Sequence, residues 1–584
     1  MIVAKPPYTG ERLAPETALY WRPPAGVRRA FADGRYGQMH YRLVKPEGVA
    51  KHVPLVFFHQ SPSSGRAFEG LLAQLGKDRL VLAPDTPGFG DSDPPPGPPS
   101  IADYAAAMGD FLDAMQLGEV DLFGDHTGAK IAVELAQQRP SQIRRLILNA
   151  CPVYSDEEMR AMQATLADEK PQDRPDDGSH LLHQWSSMRS TYAPDTPLAQ
   201  FDRDFTETLR AGERGWYGYN AAFAYSHAEN LPNVRQPIMV LCTDDGLWPA
   251  TQRARSYLRN GHILERPDLK TGAVSFHTEA MADLLRNFLD TADKTANPAV
   301  PKAAPARPTV PMRAIRRRFV DTPQGQMHVR VADGGTVAQL PLYCFHMSPR
   351  STLYLEPLIA ALGVTRTVIA VDAPGYGESY KPATRPEIAD HVAAMTAVMD
   401  ALGHRQVDIL GDHTGTKTAI ELTRLNPQRV RRIVMNTAGV YSPAEQEAFR
   451  TRMDDIPVRE DGSHLAGIWQ RFHQQNRGSL TEAQIRLRTY ESFRAGPCIW
   501  WGPRAANVYS YADVFPTLEQ PILLLCSAQA NLIEPTRRAA KRLRHGRYVE
   551  LPDMGKTLFE ERADVVAPLI DAFLTAENPL SDAR

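Results

Sequence analysis

Two tandem α/β domains, each a mostly parallel sheet flanked by helices and carrying a helical cap, are what this sequence predicts. Three observations carry the prediction. Long segments recur at an offset of about 284 to 288 residues, short apolar runs alternate with helical patterns inside each copy, and a Pro/Ala-rich stretch separates the copies. A repeat of that length duplicates whole domains, because solenoid units span only tens of residues. A chain of 584 residues has room for two hydrophobic cores.

In the first copy, apolar runs at 53–58, 79–84, 120–123 and 143–148 read as buried strands, and 101–115 as a helix. The second copy repeats the order at 342–345, 367–371, 406–410 and 430–435. Apolar strands joined by helical crossovers imply a parallel sheet covered on both faces. A late strand begins at Gln236-Pro237-Ile238 and again from Gln520. The less regular regions near 155–230 and 439–514 interrupt the alternation and read as the caps. The first domain is placed at 20–290 and the second at 313–577. In the connector, 291–312, Pro298, Pro301, Pro305, Pro308 and Pro311 break regular structure.

Composition narrows the class. With 43% apolar and 23% charged residues the chain resembles an ordinary soluble protein, and a formal net charge of −2 gives no global electrostatic reason to bind nucleic acid. The basic run Arg313 and Arg316-Arg317-Arg318 reads as a solvated entrance to the second domain. No segment resembles a membrane span, and the start lacks the apolar core of a secretory signal. Five cysteines, an odd number with no close ligand spacing, suit a reducing compartment, so a cytoplasmic location is expected. Neither a dinucleotide fingerprint nor a phosphate loop occurs, and no cofactor or metal is expected. Oligomeric state is left open.

The motifs that carry chemistry are duplicated too. Gly124-Asp125-His126-Thr127-Gly128 returns as Gly411-Asp412-His413-Thr414-Gly415, each time after an apolar strand and before a helix. That is the setting in which a Gly-x-Ser-x-Gly turn presents a nucleophile; here the middle residue is histidine both times. Phe58-His59-Gln60-Ser61-Pro62 returns as Phe345-His346-Met347-Ser348-Pro349, and Asp85-Thr86-Pro87-Gly88-Phe89-Gly90 as Asp372-Ala373-Pro374-Gly375-Tyr376-Gly377. In the caps, Asp177-Gly178-Ser179-His180-Leu181 matches Asp461-Gly462-Ser463-His464-Leu465.

In this order, the loop with His-x-Ser-Pro, the Asp-x-Pro-Gly loop, the small-residue elbow, the cap and the Pro-led late strand resemble the α/β-hydrolase superfamily. The resemblance extends to its lidded esterase, epoxide-hydrolase and carbon–carbon-bond-hydrolase branches. It covers nearly all of both halves and implies substrate binding between core and cap. It also implies a nucleophile, an acid and a histidine base at widely separated positions. The nucleophile positions hold His126 and His413. The backbone amides of Thr127 and Thr414, with Gln60 and Met347 after His59 and His346, match the oxyanion positions. At the acid position Asp245 is the better candidate, with Asp244 beside it, whereas the second copy reads Ser527-Ala528-Gln529 with no carboxylate. The usual histidine position holds Thr271 and Lys556, with His262 and His277 flanking the former.

Neither copy keeps an intact Ser–acid–His set. Imidazole titrates near neutral pH, so His126 is read as a general base oriented by Asp245, and His413 as a weaker base or ligand contact. His180, Trp185, Trp216 and Tyr225, with His464, Trp469 and Tyr509 in the second copy, are the cap residues expected to meet substrate. The expected activity is hydrolysis of an aromatic or hydrophobic carbonyl-containing small molecule. The alternatives are a lyase, an isomerase, a cofactor-independent oxygenase, or an inactive ligand-binding or structural tandem.

Overall fold

In a computed structural model of the chain, the described residues are 16–168, 174–291, 314–334, 339–450 and 455–580. The connector expected at 291–312 lies outside them from residue 292 onward. Two compact units are present. One comprises Pro23–Arg313 with Val458–Gly467; the other comprises Met1–Arg22, Ala314–Pro457 and Ile468–Arg584.

The first unit is built on eight strands: β1 (Arg28–Gly34), β2 (Gly37–Val44), β3 (Leu55–Phe58), β4 (Val81–Pro84), β5 (Val120–Asp125), β6 (Ile143–Asn149), β7 (Ile238–Asp244) and β8 (Gly261–Lys270). Their spatial order is β1-β2-β4-β3-β5-β6-β7-β8. Pairing is parallel from β4 to β8, while β2 runs antiparallel to both β1 and β4. The β1–β2 hairpin escapes a hydrophobicity reading because Arg28–Gly34 mixes charged and apolar residues. Every residue of β3, β4 and β5 is buried, as expected for strands covered on both faces.

Two apolar layers flank this sheet. One packs Val56, Leu82 and Leu122 with helix residues Met108, Phe111 and Ile131. The other packs Phe57, Phe123 and Leu241 with Phe68, Leu72 and Leu285. The helix foreseen at 101–115 spans Ile101–Ala114; Ser100 and Asp103 cap each other at its start. The cap region contains the helices Asp156–Asp168, Ser179–Arg189, Leu198–Leu209 and Gly215–Phe223.

The second unit repeats the plan. Its strands are β9 (Ile315–Thr322), β10 (Gly325–Asp333), β11 (Leu342–Phe345), β12 (Thr367–Val371), β13 (Val407–Asp412), β14 (Val430–Asn436), β15 (Ile522–Ser527) and β16 (Gly546–Leu551). The order β16-β15-β14-β13-β11-β12-β10-β9 is that of the first sheet read from the other edge. All five cysteines are free and buried, including Cys242 and Cys526 at matching strand ends. Among the described residues, no helix is long and apolar enough to cross a membrane.

Asp85 fixes the loop that follows β4. Its carboxylate meets His40 Nδ1 at 2.8 Å and accepts from Arg42 Nη1 at 3.1 Å, the Gly65 amide at 2.8 Å and the Asp91 amide at 3.0 Å. Burial opposes its charge, yet His40 and Arg42 hold its pKa far below the usual carboxylate range. Asp372 and His328 repeat the pair at 2.8 Å in the second unit. Removing one partner of a buried pair leaves the other charge uncompensated. Asp85→Asn should therefore cost the first unit about 3–5 kcal/mol, read from the shift of its unfolding step in urea.

Candidate active site

The elbow histidines occupy strained backbone. His126 has φ 49° and ψ −106°, and His413 has φ 49° and ψ −107°, a region side chains rarely adopt. Each is followed directly by a helix, Thr127–Gln138 or Thr414–Leu425. The glycines are needed for close approach: a Cβ on Gly128 would collide with the Phe58 carbonyl, and one on Gly415 with that of Phe345. The turn therefore holds its histidine at the carboxyl end of a central strand.

In the first unit His126 Nε2 lies 3.3 Å from Asp245 Oδ2, with the two side chains 25% and 3% exposed. Asp245 is the residue after β7. It is set by the Leu247 amide at 2.9 Å on Oδ1 and by Thr243 Oγ1, which donates to Oδ2 at 3.1 Å. Asp244 turns outward to Lys270 at 3.0 Å, leaving Asp245 as the acid that faces the elbow. Below the turn, Asn149 Nδ2 donates to Asp125 at 2.7 Å. Burial works against a charged His126, but the contact with Asp245 and the charge of Asp125 hold its pKa above the ordinary histidine value. Burial likewise opposes ionisation of Asp245, and His126 with the Leu247 amide outweighs it, so that carboxyl titrates below its usual range.

These residues open into a partly open pocket. Its wall includes Gln60, Asp125, His126, Asp245 and Thr271. His59 does not line it. Its Nδ1 meets the Gln60 carbonyl at 2.7 Å and its Nε2 accepts the Thr86 amide at 2.8 Å, so it orients the Gln60 peptide from beneath. Thr127 is buried at the helix start, outside the lining. His262 and His277 are also outside it.

The cap expectations need correction. His180, Trp185, Trp216 and Tyr225 do not line the cavity; Met188, Tyr192, Asp204 and Glu207 do. Trp185 is buried edge-on against Phe201 and Phe205, Trp216 packs on Tyr217, and the Tyr225 hydroxyl bonds Glu134. These rings serve packing, where their area is worth most. The lining instead carries charge: Arg66, Lys270, Asp204 and Glu207. His464 belongs to the first unit, where its Nε2 meets Asp202 at 2.9 Å. In the second unit Trp469 is buried and stacked on His473, and the Tyr509 hydroxyl bonds Glu421.

The second elbow is built differently. The Met347 amide, the counterpart of Gln60's, donates to the Tyr354 hydroxyl at 2.9 Å, and that hydroxyl donates to Asp412 at 2.5 Å. The Ser348 amide donates to Thr414 Oγ1 at 2.7 Å. His346 repeats the bracing seen for His59, with the Met347 carbonyl at 2.7 Å and the Ala373 amide at 2.8 Å. The residues directly after β15, Ala528 to Asn531, include no acid. Burial, with Lys417, Arg488 and Arg350 nearby, pulls the pKa of His413 below the ordinary value, the reverse of His126.

A family model described as alpha/beta hydrolase fold matches residues 53–247 and 341–563. An uncharacterized protein of Mycobacterium tuberculosis is 32% identical over 136 residues, covering 23% of this chain and 35% of that protein. The 2-hydroxy-6-oxo-2,4-heptadienoate hydrolase of Pseudomonas putida is 32% identical over 99 residues, covering 16% of this chain and 36% of that protein. The chain thus spans about a third of the length of these relatives. Among solved structures, the enol-lactonase from Burkholderia xenovorans LB400 aligns at 18% identity over 44% of this chain and 100% of that one, with a TM-score of 0.36. Matched by the family model in both its halves, this chain belongs to the alpha/beta hydrolase fold family.

Proposed function

We propose that the first unit hydrolyses a small carbonyl-containing molecule, with His126 as general base toward water and Asp245 as its orienting partner. The observation that carries this reading is the 3.3 Å approach of His126 Nε2 to Asp245 Oδ2 at the wall of a cavity. With Nε2–H turned to the carboxylate, Nδ1 keeps its lone pair. Nδ1 takes a proton from water as the water oxygen bonds to the carbonyl carbon, and Asp245 and Asp125 stabilise the imidazolium. The amide of Gln60, a residue on the cavity wall, then meets the developing oxyanion. Collapse of the tetrahedral species expels the leaving group, which takes the proton from Nδ1. No serine is needed, because no acyl-enzyme forms.

Charged groups on the cavity wall favour a substrate that carries polar substituents beside its carbonyl. The 2-hydroxy-6-oxo-2,4-heptadienoate named for the Pseudomonas relative has that character, and that relative is a hydrolase, which supports hydrolysis over lyase, isomerase or oxygenase chemistry. The second unit, lacking an acid and with its Met347 amide engaged, is read as noncatalytic. The test is a panel of 2-hydroxy-6-oxodienoates, enol-lactones, esters and aromatic ketones, with product followed by chromatography. Carboxylate release from at least one member supports the reading; an inert panel at millimolar concentrations counts against it.

A further inference from the structure

A short piece of the second copy is built into the first unit. Val458–Gly467 belongs to the unit formed by Pro23–Arg313, while the chain on either side of it belongs to the other. The repeated Asp-Gly-Ser-His turns meet there. Gly178 and Gly462 both have left-handed backbone, with φ 76° and 74°. A Cβ on Gly178 would lie 2.9 Å from Ala466 Cα, and one on Gly462 2.6 Å from Trp185 Cγ. Glycine is what allows so close an approach. Trp185 Nε1 donates to the Glu460 carbonyl at 2.7 Å, and the His464 ring stands edge-on to Trp185 with centroids 5.1 Å apart.

His464 also grips the helix that walls the pocket. Its Nδ1 accepts the Arg459 amide at 3.3 Å, so Nε2 carries the proton and donates to Asp202 Oδ1 at 2.9 Å. The two side chains are 5% and 6% exposed, which shields the bond from water. Asp202 lies in Leu198–Leu209, the helix that brings Asp204, Glu207 and Thr208 to the pocket. With 3.6 residues per turn, Asp202 projects about 200° around the helix from Asp204, so His464 holds the helix from behind. Phe201 of the same helix packs on Trp185 and on Tyr192, another pocket residue.

Only one copy has the acceptor. Ser64 donates to Glu207 and Ser351 to Glu491, which matches the two helices and sets Arg486 opposite Asp202. A guanidinium accepts no hydrogen bond. The acid for the histidine of the turn therefore occurs in the same copy that has Asp245.

We infer that His464, supplied by the second copy, is a positioning residue for the first unit's pocket, holding the cap helix Leu198–Leu209 against the substrate through Asp202. Its effect on turnover rests on the proposed function; its hold on the helix does not. The second copy then serves the first site although its own elbow is read as noncatalytic.

The experiment is hydrogen exchange with mass spectrometry on the full chain, alongside steady-state kinetics on a substrate from the panel. In His464→Ala, amides of 198–209 should exchange about fivefold faster or more, with the peptide around His126 unchanged. KM should rise about fivefold or more while kcat stays within about twofold, the split expected when binding rather than chemistry is weakened. Asp202→Ala should reproduce these changes and add nothing to them in the double variant. His464→Gln, whose side-chain amide still donates, should restore them. Unchanged exchange in 198–209, exchange accelerated equally across the whole unit, additive losses in the double variant, or a fall in kcat at unchanged KM overturns the inference. An inert panel counts against the proposed function alone, because the exchange measurements still decide whether His464 holds the helix.

Discussion

His126→Ala is expected to lower kcat by about 10²–10⁴-fold, the range a positioned general base contributes, while His413→Ala leaves kcat within about twofold. The asymmetry follows from what surrounds the two imidazoles. His126 has a carboxylate 3.3 Å away that favours its protonated form, as a base requires after it has accepted a proton. His413 has burial, Lys417 and two arginines opposing that form, and an oxyanion amide already given to Tyr354. Steady-state rates on whichever substrate the panel identifies decide it. Equal losses in the two variants would mean that both elbows catalyse.

The second large effect concerns pH. Wild-type kcat/KM should rise with pH through an apparent pKa above about 6.5, because the raised pKa of His126 keeps it protonated longer than a free imidazole. Asp245→Asn removes the partner whose contact and charge raise it. The acid limb should then move to lower pH, and the maximal rate should fall at least about tenfold as the ring loses its orienting acceptor. Stability follows the same sign. A raised histidine pKa contributes fully below the unfolded-state value and is lost as pH rises through the folded one. Asp245, whose pKa is depressed, contributes above its unfolded-state value and is lost as pH falls through the folded one. Asp245→Asn should therefore destabilise the unit most between those limits, read from thermal melts across pH. An unshifted acid limb would assign the rate-controlling ionisation to another group.

Much of the fold was legible because parallel strands buried on both faces are written as apolar runs, and because every run occurs twice. The hairpins Arg28–Val44 and Ile315–Asp333 do not show as strands in the sequence, since their charged residues, including Arg316–Arg318, break the pattern at a sheet edge. At the site, His126 and Asp245 could be named from motif order, but their separation depends on how far β5 and β7 stand apart across β6. The cap misled: an aromatic count does not tell which helix face meets the cavity, and Trp185 turned inward while Tyr192 and Asp204 lined the wall. One usable signal lay in the differences between the copies. Ala67, where the second copy has Tyr354, and Asp204, where it has Arg488, mark positions at which the two elbows diverged in chemistry.

The most direct test of the central claim is the intact mass of the enzyme quenched in acid during steady turnover, followed by peptide mapping around His126. A general base leaves the protein at its unmodified mass throughout, with product carboxylate accumulating from the first turnover. An acyl adduct on the peptide containing His126 would contradict the account, making that imidazole a nucleophile.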